Sequence, residues 1–130
     1  MTNLFAANAL EVEIALVTGA SRGIGAAIAK ALAEAGATVV GTATSEAGAE
    51  SISSSLADRG RGAVLNIADE ESVSALFKDL QANEGHPTIL VNNAGITKDN
   101  LLLRMKQEEW DDVIGTNLTG LYRVCKAALR

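Results

Sequence analysis

Residues 14–29, Ile-Ala-Leu-Val-Thr-Gly-Ala-Ser-Arg-Gly-Ile-Gly-Ala-Ala-Ile-Ala, restrict the possible folds of this chain more than any other stretch. The uncharged run Ile14 to Thr18, rich in β-branched residues, has the composition of a buried strand. Three glycines follow at once, and then an alanine-rich segment with Ile24, Ile28 and Leu32 at four-residue spacing, which reads as helix. A strand that bends sharply into a helix turns the free N–H groups of the first helical turn toward the bend. The occupant such a bend suits is an anion, most often a phosphate. The glycines Gly19, Gly23 and Gly25 are spaced G-x-x-x-G-x-G. That is not the G-x-G-x-x-G of the usual dinucleotide fingerprint, and the Lys-Ser/Thr of a P-loop is missing.

Length and composition narrow the setting. A chain of 130 residues is one domain long and can bury a core. A hydrophobic fraction of 48% with 3% aromatics and 12 glycines suits a sheet closely covered by helices, and excludes a disordered tail. The formal net charge of −5, with no Lys/Arg cluster, argues against a general nucleic-acid binder, so a phosphate must be held by local geometry. The single cysteine, Cys125, excludes an internal disulfide framework, lies on an apolar helical stripe and fits a reducing cytoplasm. No Lys or Arg precedes Arg22, and Asn3 and Asn8 interrupt the apolar lead, which speaks against a secretory signal. No uncharged apolar run approaches the roughly 18 residues of a membrane span, so a soluble cytoplasmic protein is expected.

Residues 1–11 carry no pattern and are expected to be an irregular lead-in, with one domain over 12–130. From Val12 the expected order is strand 12–18, helix about 24–35, strand 38–42, helix about 46–58, strand 63–66, helix 70–83 capped by Asp69, and strand 88–92. The lone His86, beside Pro87 in a turn, is expected in solvent. Short strands alternating with helices predict an α/β fold, a Rossmann-type doubly wound parallel sheet. Its first four strands run in order 3-2-1-4, and its binding crevice lies between the carboxyl ends of strands 1 and 4. The glycine bend sits at the end of strand 1. At the end of strand 4 stands a second bend of small and amide residues, Asn92-Asn93-Ala94-Gly95.

Thr18-Gly19-Ala20-Ser21-Arg22-Gly23-Ile24-Gly25, Asn92-Asn93-Ala94-Gly95 and Asn117 together resemble the short-chain dehydrogenase/reductase family, and the likeness runs from about Ile14 to Arg130. Within the family, residues 95–106, Glu109-Trp110, Thr116-Asn117-Leu118 and Gly41 to Ser45 resemble the ketoacyl reductases of fatty-acid synthesis. The resemblance implies reduction of a β-ketoacyl thioester on acyl carrier protein, assembly into homo-oligomers (tetramers in relatives), and a chain that carries the cofactor-binding half. It also implies that Gly19, Ala20, Ser21, Arg22, Gly23, Ile24 and Gly25 carry a pyrophosphate and that Thr44 joins Arg22 at a 2′-phosphate. Asn66 and Ile67 then border an adenine, and Asn93, Ala94 and Gly95 back the nicotinamide ribose. Two positions depart from the pattern: Asn66 stands where many relatives have aspartate, and Val12-Glu13 replaces a common Gly-Lys.

The choice of nicotinamide cofactor has a physical argument of its own. An NAD site places Asp or Glu at the end of the second strand, against the ribose 2′-hydroxyl. Here Thr42, Ala43, Thr44 and Ser45 fill that region, and Arg22 offers a cation to a 2′-phosphate, so NADP(H) is expected.

By the same resemblance Asn117 belongs to a catalytic set completed by a serine, a tyrosine and a lysine. Tyr122 and Lys126 have the spacing Tyr-x-x-x-Lys. They fall five residues after Asn117, before any fifth strand, on a stripe with Leu118, Leu121, Cys125, Ala128 and Leu129, and are rejected as that pair. The helix 118–130 stops without Gly, Asn or Pro, as though cut inside an element, so the 130-residue chain is expected to be inactive alone. The acidic group Glu108, Glu109, Asp111 and Asp112 reads as the wet side of a short helix whose buried side is Trp110, Val113 and Ile114, and no metal is expected. A reductase for another carbonyl and a non-catalytic nucleotide-binding or assembly module remain as alternatives.

Overall fold

The computed structural model describes residues 8–129. Residues 1–7 of the expected lead-in and Arg130 of the last helix lie outside them. Residues 8–12 are turns, tied down by a bond from the Leu10 N–H to the Ala35 carbonyl at 2.9 Å, with the Leu10 side chain packed on the core.

Four strands, β1 (Ile14–Val17), β2 (Thr38–Ala43), β3 (Gly60–Val64) and β4 (Ile89–Val91), form one parallel sheet in the order β3-β2-β1-β4, as expected. Helices α1 (Gly23–Glu34), α2 (Glu46–Leu56) and α3 (Glu70–Asn83) make the crossovers. After β4 the chain runs without regular secondary structure to a 3₁₀ turn at Leu102–Arg104. It then forms one rod: α4 (Gln107–Val113), a π-helical segment (Ile114–Thr119) and α5 (Gly120–Ala128).

Alternation along the strands divides the core in two. Ala15, Val17 and Val39 point to the side of α1 and α2, meeting Ala29, Ala33, Ile52 and Leu56. Leu16 and Val40 point to the other side, meeting Val73, Leu76 and Leu80 of α3 and Val124 of α5. On that second face α3 begins as the sequence predicts, with the Asp69 carboxylate accepting from the Glu71 N–H at 3.0 Å.

The buried stripe of α1 is Gly25, Ala29 and Ala33, while Ile24 is 73% exposed and Ile28 and Leu32 pack at the margin. Small residues let the helix lie close on the sheet. Two expectations are corrected, those for β3 and for the rod. β3 begins at Gly60 and ends at Val64, because Gly60 and Gly62 are strand residues on which other backbone rests. Trp110 is 55% exposed, and Leu118, Leu121, Tyr122 and Leu129 are also exposed, so the rod meets the core through Gly120, Val124 and Ala127 instead. At the end of α2, Ala57 takes a φ of 54° with ψ of −122°, a conformation that side-chain-bearing residues rarely adopt.

On the rim of β3, away from the strand ends, Arg61 forms a forked pair with Glu84 at 2.6 and 3.0 Å and a salt bridge to Asp79 at 2.8 Å. The bond to Glu84 is the main reason its guanidinium is held above the ordinary arginine value. No helix among the described residues is long and apolar enough to cross a membrane.

Candidate functional site

The carboxyl ends of the strands open into a cleft of about 420 Å³. One wall is the bend after β1. Gly19 and Gly23 have φ of 67° and 62°, values that glycine adopts without steric cost. The bend delivers α1 with its first turn bare: Arg22 at the N-cap makes no side-chain cap, and the first turn holds no acid. The N–H groups there have no partner from the cap, which is the arrangement that receives an anion.

The facing wall is the bend after β4, and Thr18 fastens the two together. Its hydroxyl, on a residue 1% exposed, accepts from the N–H groups of Asn93 at 3.1 Å and Ala94 at 3.0 Å and lies 3.4 Å from the Val91 carbonyl, to which it donates. Asn93 returns the link by donating from Nδ2 to the Gly19 carbonyl at 2.9 Å. Gly25 lies beneath, where a Cβ would stand 2.0 Å from the Gly19 oxygen and 2.5 Å from Asn93 Nδ2. Glycine is therefore required at that crossing. From the other side Thr42 holds the bend, accepting from the Gly19 N–H through Oγ1 at 3.3 Å and from the Ala20 N–H through its carbonyl at 2.8 Å.

The residues after β3 form a third side. Asn66 bends the chain by accepting from the Ala68 N–H at 3.1 Å through Oδ1, which leaves its Nδ2 for other partners. Past β4, the amide of Asn117 grips the backbone of Ile96 twice, accepting from its N–H at 2.8 Å and donating to its carbonyl at 2.8 Å. Among the described residues, Arg22 is the one charged side chain lining the cleft, and it forms no salt bridge. No carboxylate lines the end of β2, where Thr42, Ala43 and Thr44 stand.

Of the residues singled out from the sequence, Gly19, Ser21, Arg22, Gly23, Thr44, Asn66, Ile67, Asn93, Ala94 and Gly95 line this cleft. Ala20 is buried behind it, Gly25 beneath it, Ile24 faces solvent, and Asn117 stands behind Gly95 and Ile96. Thr42 and Ala43, read only as the carboxylate-free end of the second strand, Ile96 and Thr116, read only as parts of a motif, and Leu65, which was not singled out, also line it. Their signal was position alone, each being next to a strand end or to a recognised motif. Tyr122 and Lys126 lie elsewhere, in a groove between α3 and α5, with the ammonium 5.6 Å from the ring centre. The carboxylates of α4 serve the backbone and their neighbours: Glu109 accepts from the Lys106 N–H at 3.2 Å, and Asp111 from Gln107 at 2.9 Å.

The donor set suits a phosphorylated dinucleotide: bare helical N–H groups, one cation without a salt bridge, and amide and hydroxyl side chains, with no carboxylate among the described residues that line the cleft. A family model described as short chain dehydrogenase matches residues 13–130. The 3-oxoacyl-[acyl-carrier-protein] reductase FabG of Vibrio harveyi is 61% identical over 121 residues, which cover 93% of this chain and 50% of that protein. The protein of the same name from Escherichia coli K12 is 57% identical over 120 residues, 92% of this chain and 49% of that one. That from Pseudomonas aeruginosa is 55% identical over 124 residues, with 93% and 50% covered. The chain thus spans about half the length of the curated relatives it matches.

Proposed function

Since this chain belongs to the short chain dehydrogenase family, we propose that it holds the NADP(H) of a cytoplasmic reductase acting on β-ketoacyl thioesters of acyl carrier protein. When bound, the cofactor supplies a hydride to the carbonyl carbon while a proton goes to the oxygen, leaving the β-hydroxyacyl thioester and NADP⁺. The observation that carries the reading is the pairing of a bare α1 N-terminus and an unpaired Arg22 with a β2 end free of carboxylate.

The chain's own residues divide the work. Gly19 to Gly25 admit the pyrophosphate to the backbone, Arg22 and Thr44 meet the 2′-phosphate, Asn66 and Ile67 border the adenine, and Asn93 to Gly95 back the nicotinamide ribose. Asn117 takes the asparagine position of the catalytic set. Both atoms of its amide are engaged by Ile96, so its side chain contributes by fixing the Gly95–Ile96 wall. Neither Tyr122 nor Lys126 lines the cleft, so the chain by itself binds cofactor without turning it over. Homo-oligomer formation belongs to the same reading.

Titration calorimetry tests it. NADPH is expected to bind at least about tenfold more tightly than NADH, as one charge-assisted phosphate contact allows. Equal affinities overturn the NADP assignment, and binding of neither overturns the cofactor site. NADPH oxidation by this chain with a β-ketoacyl thioester, lost in Tyr122→Phe, overturns the division of labour.

A further inference from the structure

Asn117, Gly120 and Arg123 follow one another at three-residue intervals along the rod, and each engages a wall of the cleft. Asn117 grips Ile96 on the β4 side. Gly120 is seated under the turn after β3, where a Cβ would stand 2.8 Å from Cγ1 of Ile67 and 2.9 Å from its carbonyl oxygen. Arg123 reaches the same turn, donating from Nη1 to the Ile67 carbonyl at 3.3 Å and the Ala68 carbonyl at 2.9 Å. Among the described residues it forms no salt bridge, so its charge is directed at main-chain oxygen.

The turn has few other anchors. Its remaining bonds are local: the Asn66 N–H to Ser72 Oγ at 3.0 Å, the Ala68 N–H to Asn66 Oδ1 at 3.1 Å, and the Asp69 N–H to the Asn66 carbonyl at 3.0 Å. The first of these reaches α3, and the Leu65 N–H just before the turn is held by the Ala43 carbonyl of β2 at 2.9 Å, but none of them holds Ile67 or Ala68 to another element. The packing of Ile67, 7% exposed, and the two bonds from Arg123 supply that tie.

We propose that Arg123 is a positioning residue for the Asn66–Ile67 wall, setting how well the adenosine end of the dinucleotide is held. The inference rests on the cofactor reading above. Arg123 does not line the cleft, so its effect passes through the turn. A bond from a charged donor to a carbonyl is stronger than a neutral one, and losing it leaves the Ile67 oxygen without that partner. A ligand must then order the turn as it binds, which weakens affinity.

The test is Arg123→Met, which keeps the apolar stem and removes the donors, made in the full chain and titrated with three ligands. The Kd for NADPH and for adenosine 2′,5′-bisphosphate is expected to rise by the same factor, about three- to tenfold. Reduced nicotinamide mononucleotide, which never meets this wall, is expected to bind unchanged. A general loosening weakens all three. Without ligand, the Ala68 and Asp69 amides are expected to exchange hydrogen faster in the variant. Arg123→Lys, which keeps one cationic donor, recovers part of the affinity, and it carries the test should Arg123→Met fail to fold. Wild-type affinity for adenosine 2′,5′-bisphosphate in the variant overturns the inference while leaving the cofactor reading intact. Absence of NADPH binding by the unaltered chain overturns the cofactor reading, and this inference with it.

Discussion

At Thr18 a single hydroxyl serves two part-buried backbone donors, those of Asn93 and Ala94. Valine has nearly the same shape and no acceptor, so Thr18→Val strands both N–H groups at about 1–3 kcal/mol each. Urea unfolding is expected to show a loss of about 2–4 kcal/mol, with Thr18→Ser recovering most of it. Gly25→Ala is harsher per atom added, because the new methyl meets the Gly19 carbonyl, which is backbone, as well as the Asn93 amide that bonds to it. It is expected to cost about 3 kcal/mol or more in the same measurement and to abolish NADPH binding in calorimetry. Ala57 works in the opposite sense. With φ at 54° it carries strain of about 1–3 kcal/mol that glycine relieves, against the greater freedom glycine has when unfolded. Ala57→Gly is expected to raise stability by about 1 kcal/mol, read as a higher urea midpoint with unchanged slope.

Elements whose apolar residues follow one period were legible in the sequence, and those organised by backbone contact were not. Val73, Leu76 and Leu80 of α3 recur at helical spacing and are buried as expected. β3 begins at Gly60, ahead of the apolar residues at 63–66 that suggest a strand, because glycine carries no strand signal of its own. In the fold Gly60 and Gly62 are bare strand positions, and a Cβ on Gly62 would stand 1.9 Å from the Ala49 carbonyl of α2. Nothing in a glycine's identity distinguishes a turn from a place where a helix rests. The rod from Gln107 to Ala128 misled for another reason: helical spacing marks a stripe as apolar without saying what covers it, and Trp110, Leu118, Leu121 and Tyr122 are exposed while Gly120 and Val124 of the same rod are buried. The site bends were read well because their residue types follow from the bends themselves, whereas Leu65 and Thr116 enter the cleft by adjacency. Arg61 provides a contrast at this scale. Its pairs with Glu84 and Asp79 are partly exposed and lie away from the cleft, so Arg61→Gln is expected to lower stability by about 1 kcal/mol and leave NADPH affinity unchanged.

β4 forms an edge of the sheet with three half-buried apolar residues, and Leu102, Leu103, Leu118 and Leu129 are exposed, Leu103 completely. An unpaired edge beside apolar surface favours association. Light scattering is expected to show a mass that rises with concentration, and Leu103→Lys is expected to reduce that rise without changing the melting temperature. Arg22, the one charged side chain among the described residues that line the cleft, in a molecule of net charge −5 has its own consequence. A dinucleotide bearing several negative charges is repelled at long range and attracted only on arrival. Added salt then acts in two senses, quieting the repulsion during approach and slackening the hold afterward, so that arrivals become more frequent while each stay grows shorter.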